Sequence, residues 1–262
     1  MRESVDNLAM LKAGLALIAG DECSSRGRIA TGHEALDAEL GGGLARGRLH
    51  ELFASETDDG PNAAGFAAML ALLAAGRESP VLWLRTDEAE RINGRLHAPG
   101  LVELGCDPGL LLLGQAPDIR ALLRSAADAA RCSGLKALVV ECPGKCPMLD
   151  LTASRRLALA AEQSGVTLFL LRLNAEPVPS AADTRWAVGS APSKTLEANA
   201  PGPPMFEIEL LRRRAGPAGM RWMLEWNRDR LIFREPALPG AMVSLPSRRP
   251  AAPDSGGLRL SA

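Results

Sequence analysis

The sequence has no surplus of charge of either sign. Its 262 residues include 30 Lys and Arg side chains and 31 Asp and Glu side chains, which gives a formal net charge of −1. A protein that coats nucleic acid unaided needs many cations on one face, because its affinity comes from contacts with phosphates. The composition therefore argues against that class of protein, and no strong basic stripe appears along the chain.

The sequence also lacks long apolar runs and a regular pattern of cysteines. No apolar run approaches the ~20 residues that a helix needs to cross a bilayer, so a membrane span is excluded. The first residues lack the charged and apolar regions of a secretory signal. The cysteines are odd in number and do not have the spacing of a disulfide framework; they are Cys23, Cys106, Cys132, Cys142 and Cys146. These absences predict a protein of the reducing cytoplasm.

The motifs of common catalytic and metal sites are missing as well. There is no Gly-x-Ser-x-Gly elbow of a serine hydrolase. Cys142 and Cys146 have the spacing C-x-x-x-C, but no second pair of ligands is near, and His33, His50 and His97 are scattered. Free thiols are therefore expected rather than a zinc site. The sequence predicts no catalytic residue and no metal site.

The most informative segment that is present is Gly60-Pro-Asn-Ala-Ala-Gly65-Phe66-Ala67. A phosphate-binding loop has the pattern G-x-x-x-x-G-K-[ST], in which backbone N–H groups cradle the phosphates, the lysine neutralises their charge and the hydroxyl binds Mg²⁺. Here Phe66 occupies the lysine position and Ala67 the hydroxyl position. The segment predicts a nucleotide-binding fold that has lost its nucleotide and keeps at most a helix N-terminus as an anion site. No cofactor is expected.

The surrounding sequence predicts an α/β fold with a mostly parallel sheet flanked by helices. The glycine frame lies between a strand and a helix, as a phosphate loop would. Predicted strands cover 49–54, 80–85, 110–113, 135–141, 166–173 and 185–188, and predicted helices cover 88–96, 118–132 and 151–164. Segments 206–213 and 220–233 flank a turn at 216–219 and predict a closing β-hairpin.

Both ends of the chain differ in composition from the middle. Residues 4–18 place apolar side chains on one helical face, among them Leu8, Leu11 and Leu15, and a Gly/Ser/Arg linker follows. This amphipathic helix either packs on its own core or docks onto a partner. From residue 235 onward Pro, Ser, Gly and Arg dominate, which predicts a disordered tail. The predicted organisation is a helix and linker over 1–28, a core over 29–234 and a tail over 235–262.

The pattern A-L-D…L-G-G-G-L-x-x-G-R…E-L-F, a later apolar strand that ends in an acid, and the closing hairpin resemble bacterial RecA over roughly residues 29–233. Within that superfamily, G-F-A in place of G-K-[ST], the H-E-L-F strand and the R-W-x-V strand are similar to the ImuA family of inducible mutagenesis proteins. The resemblance implies a RecA-like adaptor for translesion synthesis in the SOS response to DNA damage. The partners that it implies are ImuB, which is a catalytically inactive relative of Y-family polymerases, an error-prone DNA polymerase, and RecA.

The other ATPase positions also depart from the RecA pattern. Residues 135–141 match the Walker B strand, but its last residue is Glu141 rather than aspartate, and a lone acid at a strand end is usually a solvated edge. Asp87 lies near the position of the water-orienting glutamate, but without the lysine it has no γ-phosphate to act on. The switch position has Arg172-Leu173-Asn174. The resemblance therefore implies a degenerate site and a protein that is not an enzyme.

The segments that correspond to the DNA-binding loops of RecA contain little that would bind DNA. Residues 143–150 and 175–182 have no aromatic residue for base stacking, and Lys145 is their one clear cation. Direct DNA binding is expected to be weak or absent.

The last predicted strand carries Trp222, Leu224 and Trp226 on one face, beside several arginines. This face either completes the core sheet or forms an interface, because Trp and Arg are typical of binding hot spots. The candidate partner-binding residues are Leu8, Leu11, Leu15, Trp222, Trp226 and Arg228. Two other functions stay open: a SulA-like inhibitor of cell division that binds FtsZ, and an ATPase with an atypical phosphate loop.

Overall fold

The computed structural model describes residues 27–196 and 200–236. The predicted N-terminal helix with Leu8, Leu11 and Leu15 lies outside the described residues, as do residues 237–262 of the predicted tail. The predicted division into arm, core and tail therefore stays a prediction. Among the described residues, no helix combines the length and the hydropathy that crossing a membrane requires.

The described chain alternates strands and helices through most of its length. The strands are β1 (Arg28–Ile29), β2 (Leu44–Ala45), β3 (Leu49–Ala54), β4 (Val81–Thr86), β5 (Leu111–Ala116), β6 (Ala137–Glu141), β7 (Thr167–Arg172), β8 (Thr184–Ser190), β9 (Met205–Arg213), β10 (Arg221–Asn227) and β11 (Ile232–Arg234). The helices are α1 (Glu34–Glu39), α2 (Gly60–Ala75), α3 (Asp87–Asn93), α4 (Ala98–Glu103), α5 (Ile119–Ala129) and α6 (Leu151–Ser164). Short 3₁₀ turns cover Thr57–Asp59 and Pro108–Leu110.

A nine-stranded sheet organises the fold, with the order β11-β10-β9-β8-β3-β7-β6-β4-β5. Neighbouring strands from β8 to β5 run parallel, whereas β9, β10 and β11 add antiparallel strands at one edge. Every residue of β6 and β7 is buried, as expected for central parallel strands that are covered on both faces. The predicted fold class, a mostly parallel sheet flanked by helices, is confirmed.

The two faces of the sheet carry separate apolar clusters. Side chains alternate along a strand, so Phe169 packs in the cluster under α2 while its neighbour Leu170 packs in the cluster under α5 and α6. Helix α2 packs against β3, β6, β7 and β8. Its buried residues come from all sides of the helix, because it lies inside the core rather than on the surface.

Local signals explain where the predicted elements begin and end. Helix α6 has the predicted bounds, because the Asp150 side chain caps its first turn and Gly165 ends it in the left-handed conformation with φ 83°. A helix forms where 88–96 was predicted, but the predicted C-terminal end is wrong. Helix α3 ends at Asn93 before Gly94, whose φ is 77°, and α4 then begins after the capping residue His97.

The closing hairpin forms from β9 and β10, with Phe206 opposite Leu224 and Ile208 opposite Trp222. The hairpin is therefore confirmed, but the single long strand over 220–233 is wrong. Strand β10 ends at Asn227, and after a turn β11 pairs back onto it, with Phe233 opposite Trp226.

Candidate functional site

The candidate site lies where the carboxyl ends of β3, β4, β6 and β7 meet the start of α2. Ligands of open α/β sheets bind at this edge. A pocket of about 390 Å³ opens here, and the residues that line it include Asp58, Gly60, Arg85, Asn93, Glu141 and Asn174. The structure therefore brings the predicted loop residue Gly60 and the predicted Walker B residue Glu141 to the same pocket.

The glycine frame does not form a phosphate loop in this structure. Helix α2 begins at Gly60, whose φ and ψ are both −50°, so the whole frame from Gly60 to Gly65 is helical. In a phosphate loop the backbone N–H groups of the glycine frame surround the phosphates before the helix begins, whereas here the frame itself forms the first turns of the helix. The expectation that the frame connects the strand to the helix as a loop is wrong. A 3₁₀ turn at Thr57–Asp59 makes that connection instead.

Phe66 stands at the lysine position but does not reach the pocket. It is 3% exposed, and its ring centroid lies 5.5 Å from that of Phe206 and 5.2 Å from that of Phe233. Ala67, at the hydroxyl position, is fully buried. A lysine ammonium in this aromatic cluster would be desolvated without a partner, which is strongly unfavourable. In an ATPase the lysine at this position neutralises phosphate. Here the residue is Phe66, which packs α2 against the antiparallel edge of the sheet.

An acidic side chain occupies the N-terminus of α2. Asp59 is 7% exposed, and its carboxylate accepts the backbone N–H of Ser190 at 2.8 Å and that of Glu56 at 3.2 Å. Pro61 in the first turn has no N–H to offer. The carboxylate satisfies donors near the helix start and brings a negative charge there. This arrangement disfavours the residual anion site that the helix N-terminus suggested.

Glu141 ends β6 as a buried residue with three donors, which is an arrangement the sequence did not predict. Its carboxylate accepts from Trp83 Nε1 at 3.2 Å, Arg85 Nη2 at 3.2 Å and Asn93 Nδ2 at 2.7 Å. Glu141 is 2% exposed and Arg85 is 4% exposed. The expectation of a solvated strand end is therefore wrong. In an ATPase the negative charge of the Walker B acid holds the Mg²⁺ shell. In this chain the Arg85 guanidinium compensates the charge of Glu141 instead.

Arg85 and Asn93 belong to this site, although the sequence predicted no role for either residue. The available signal was weak: Arg85 is the one charged residue in the predicted strand 80–85, and β4 turns out to lie beside β6. Asp87, the candidate for water orientation, is exposed in the first turn of α3 and does not line the pocket. In the part of the chain that the structure describes, no group of three or more His, Cys, Asp or Glu side chains could hold a metal ion.

The switch position at the end of β7 is also held by internal contacts. Arg172 is 3% exposed and donates to the carbonyl oxygens of Cys142 and Gly144, each at 3.2 Å. Asn174 lines the pocket in the left-handed region, with φ 52°. Arg172 therefore fixes the loop that follows β6 rather than facing a nucleotide.

The candidate partner-binding residues of the hairpin differ in exposure. Trp226 is 1% exposed, and its indole N–H donates to the Leu104 carbonyl oxygen at 2.9 Å, so its side chain belongs to the core. Trp222 is half-buried, with its ring centroid 6.1 Å from that of Trp186. Arg228 is exposed in the turn between β10 and β11. A contact with a partner stays a prediction for these residues, and the burial of Trp226 argues against a direct one.

Comparison with known proteins gives two findings. The chain is 33% identical over 199 residues to Protein ImuA of Caulobacter vibrioides, in strain NA1000 / CB15N and in strain ATCC 19089 / CIP 103742 / CB 15 alike, which covers 71% of this chain and 77% of the relative. The fold is similar to the crystal structure of the RadB recombinase, with a TM-score of 0.54 and 16% identity over 80% of this chain and all of that one. No protein-family model matches the sequence. The structural likeness confirms the RecA-like core, and at this identity it shows the fold alone.

Proposed function

Because this chain belongs to the ImuA family, we propose that it is a non-catalytic, RecA-like adaptor of a translesion-synthesis mutasome. In this role it acts in the cytoplasm during the SOS response to DNA damage. The observation that carries the proposal is the burial of Phe66, which is 3% exposed at the position of the phosphate-binding lysine. A RecA-like protein that cannot hold a nucleotide acts through its surfaces.

The absence of catalysis is supported at each position that an ATPase needs. Phe66 replaces the cation and packs in the core, and Asp59 brings a carboxylate to the start of α2. Glu141 is neutralised by Arg85. Binding a nucleoside triphosphate here would require unpacking α2 and placing phosphates beside Asp58 and Asp59, and both changes are unfavourable.

The partners that we propose are ImuB, an error-prone DNA polymerase and RecA. The family resemblance supports this choice. The near-neutral charge and the short loops 143–150 and 175–182 favour contacts with proteins over direct contacts with DNA. Candidate contact points are Trp222 and Arg228 on the described surface and Leu8, Leu11 and Leu15 in the N-terminal segment.

A pull-down with the complete chain as bait tests the proposal. Purified ImuB, error-prone polymerase, RecA and FtsZ are offered separately, each with and without Mg²⁺ and ATP. We expect retention of at least ImuB, independent of ATP. Retention of FtsZ alone would favour the SulA-like alternative, and release of phosphate from ATP by the isolated chain would favour the ATPase alternative.

A matched pair of variants tests the hairpin surface in the same assay. The Arg228 and Arg131 side chains have similar exposure, 63% and 59%. They lie on different elements, since Arg228 follows β10 whereas Arg131 follows α5. If the turn after β10 contacts a partner, Arg228→Ala weakens retention and Arg131→Ala does not. Equal retention of both variants would remove this turn from the interface.

A further inference from the structure

The loop between β6 and α6 brings two thiols together. Cys142 is fully buried directly after Glu141, whereas Cys146 is partly exposed. Cys142 belongs to the apolar cluster under α5 and α6, Cys146 packs against that cluster, and the two cysteine side chains are in contact. Gly144 between them has φ +62°, a left-handed conformation that reverses the chain. The bend at Gly144 therefore lets both cysteine side chains reach the same apolar cluster.

The surroundings of Cys146 favour a negative charge on its sulfur. The Cys142 thiol next to this sulfur makes the largest contribution. The backbone around Cys146 is held by the Leu149 N–H, which donates to the Cys146 carbonyl oxygen at 3.0 Å. The Arg172 guanidinium lies near and adds a positive charge. These groups outweigh partial burial and lower the pKa of Cys146 to about 6. The neighbouring Cys146, together with burial, raises the pKa of Cys142, so at pH 7 Cys146 is the thiolate and Cys142 the thiol.

Arg172 gives independent geometric evidence for an anion in this loop. It is 3% exposed, its hydrogen bonds go to two carbonyl oxygens, and its Nη1 has no partner. The salt bridges among the described residues include a carboxylate for Arg85 and for Arg185 but none for Arg172. A buried cation normally has a counter-ion. Arg172 holds two carbonyl oxygens of the loop that carries both cysteines, so a thiolate in this loop would supply the missing counter-ion.

We propose that Cys142 and Cys146 form an oxidation-sensitive dithiol, in which Cys146 reacts with a peroxide and Cys142 then closes a reversible intrachain disulfide. In the first step the Cys146 sulfur attacks one peroxide oxygen. A sulfur–oxygen bond forms, the oxygen–oxygen bond breaks, and the departing hydroxide takes a proton and leaves as water. In the second step the Cys142 sulfur attacks the sulfenic acid of Cys146. The disulfide forms, and the sulfenic hydroxyl leaves as water with the thiol proton.

The disulfide would change the carboxyl edge of the sheet. Its sulfur–sulfur bond is about 2.05 Å long, so the two sulfur atoms must approach each other. The turn in which the Leu149 N–H holds the Cys146 carbonyl oxygen must adjust to this movement. The segment before α6 must rearrange with it, while Cys142 stays fixed by its backbone hydrogen bond to Leu171. A dithiol reductant reverses the change by thiol–disulfide exchange. This chemistry belongs to the loop and does not depend on the adaptor role.

Two other cysteines of the chain provide internal controls. Cys132 is exposed, and no other cysteine lies within five residues of it in the sequence. Burial raises the pKa of Cys106 to about 11, so its thiolate is scarce at neutral pH. If the exposure of a cysteine alone determined its rate of oxidation or alkylation, Cys132 would react first. If the fraction of thiolate determined that rate, Cys146 would react first.

The first test uses the wild-type chain and needs no variant. The reduced protein is alkylated with iodoacetamide at a series of pH values, and each cysteine is quantified by mass spectrometry. We expect the alkylation rate of Cys146 to rise with a midpoint near pH 6 and to exceed that of Cys132 at least about tenfold at pH 6.5. A Cys146 rate equal to or below that of Cys132 would overturn the proposal.

The second test is peroxide treatment followed by tryptic digestion without reduction. Trypsin cleaves after Lys145, between the two cysteines, so the disulfide joins peptide 137–145 to peptide 146–155. We expect this linked pair to appear with peroxide and to vanish with dithiothreitol. In Cys142→Ser the hydroxyl still donates to Cys146 but cannot close the disulfide, so dimedone should trap the sulfenic acid. Absence of the linked pair in the wild type, or linkage mainly through Cys132, would contradict the proposal.

Discussion

The rings of Phe66 and Phe233 lie 5.2 Å apart, centroid to centroid, and join the second turn of α2 to the last strand of the sheet. Trp226 extends the contact, because its ring lies 4.8 Å from that of Phe233. The side chain at the phosphate-binding position is thus part of the core that holds the antiparallel strands. The residue at the lysine position is therefore one that attaches the closing strands to α2.

Replacing Phe66 should destabilise the whole domain. Phe66→Ala removes a buried ring from an aromatic cluster, so we expect it to lower the free energy of unfolding by ~3–5 kcal/mol. Urea denaturation monitored by tryptophan fluorescence measures this. Leu159→Ala is the control, because Leu159 is 57% exposed and its truncation should change stability by less than ~0.5 kcal/mol. Equal stability of both variants would mean that Phe66 does not belong to the core.

The buried pair of Glu141 and Arg85 should behave as a structural unit. Glu141→Ala leaves Arg85 buried without its anion, which should lower the free energy of unfolding by ~3–5 kcal/mol. Removing the Arg85 charge as well, in the double variant Glu141→Leu with Arg85→Met, should restore much of that loss.

The control for this pair is a surface ion pair of the hairpin. Arg221 lies 3.5 Å from Glu207, and the two side chains are 64% and 49% exposed. Glu207→Ala should therefore change the free energy of unfolding by at most ~1 kcal/mol. If Glu141→Ala proved equally mild, the account of Glu141 as a buried structural acid would be wrong.

The two tryptophans of β10 should separate folding from binding. Trp226 is 1% exposed, so Trp226→Ala should lower the free energy of unfolding by ~3–5 kcal/mol. Trp222 is only half-buried, so Trp222→Ala should have a smaller effect on stability. If Trp222 is an interface residue, its truncation should weaken partner binding by ~2 kcal/mol or more. Titration calorimetry against ImuB distinguishes these cases, and unchanged binding would exclude Trp222 from that interface.

Ending the chain after Arg234 should leave the core intact. The removed sequence is rich in Pro, Ser, Gly and Arg and cannot bury a core of its own. We expect the melting temperature to change by less than about 2 °C. A drop of many degrees would show that the removed residues pack on the domain. Comparing the binding of this variant and the complete chain to ImuB and RecA then shows whether the tail takes part.

The sequence predicted elements whose signals are local. Helix α6 has the predicted bounds, because Asp150 and Gly165 mark its two ends within the sequence itself. Strand β11 was missed, because it is short and becomes recognisable only through its pairing with β10. The pairing of Glu141 with Arg85 was missed for the same reason, since residues far apart in the chain meet only through the neighbouring strands β6 and β4.

The glycine frame shows how a motif can mislead when local propensity opposes it. The frame matched the spacing of a phosphate loop, but Pro61 near its start and the alanines that follow favour a helix. The absence of lysine and hydroxyl was visible in the sequence. The contacts of the buried Asp59 carboxylate were not, because they depend on the N–H of Ser190 in a distant strand.

Nucleotide binding by the complete chain tests the central claim most directly. Isothermal titration calorimetry with ATP in the presence of Mg²⁺ should give no binding heat, and a thermal scan with millimolar ATP should leave the melting temperature unchanged, because a ligand that does not bind the native state cannot stabilise it. RecA measured in the same buffer serves as the positive control. A saturable heat with a dissociation constant below about 1 mM, together with a rise of several degrees in melting temperature, would contradict the claim that a chain with Phe66 at the lysine position and Glu141 paired with Arg85 does not bind a nucleotide.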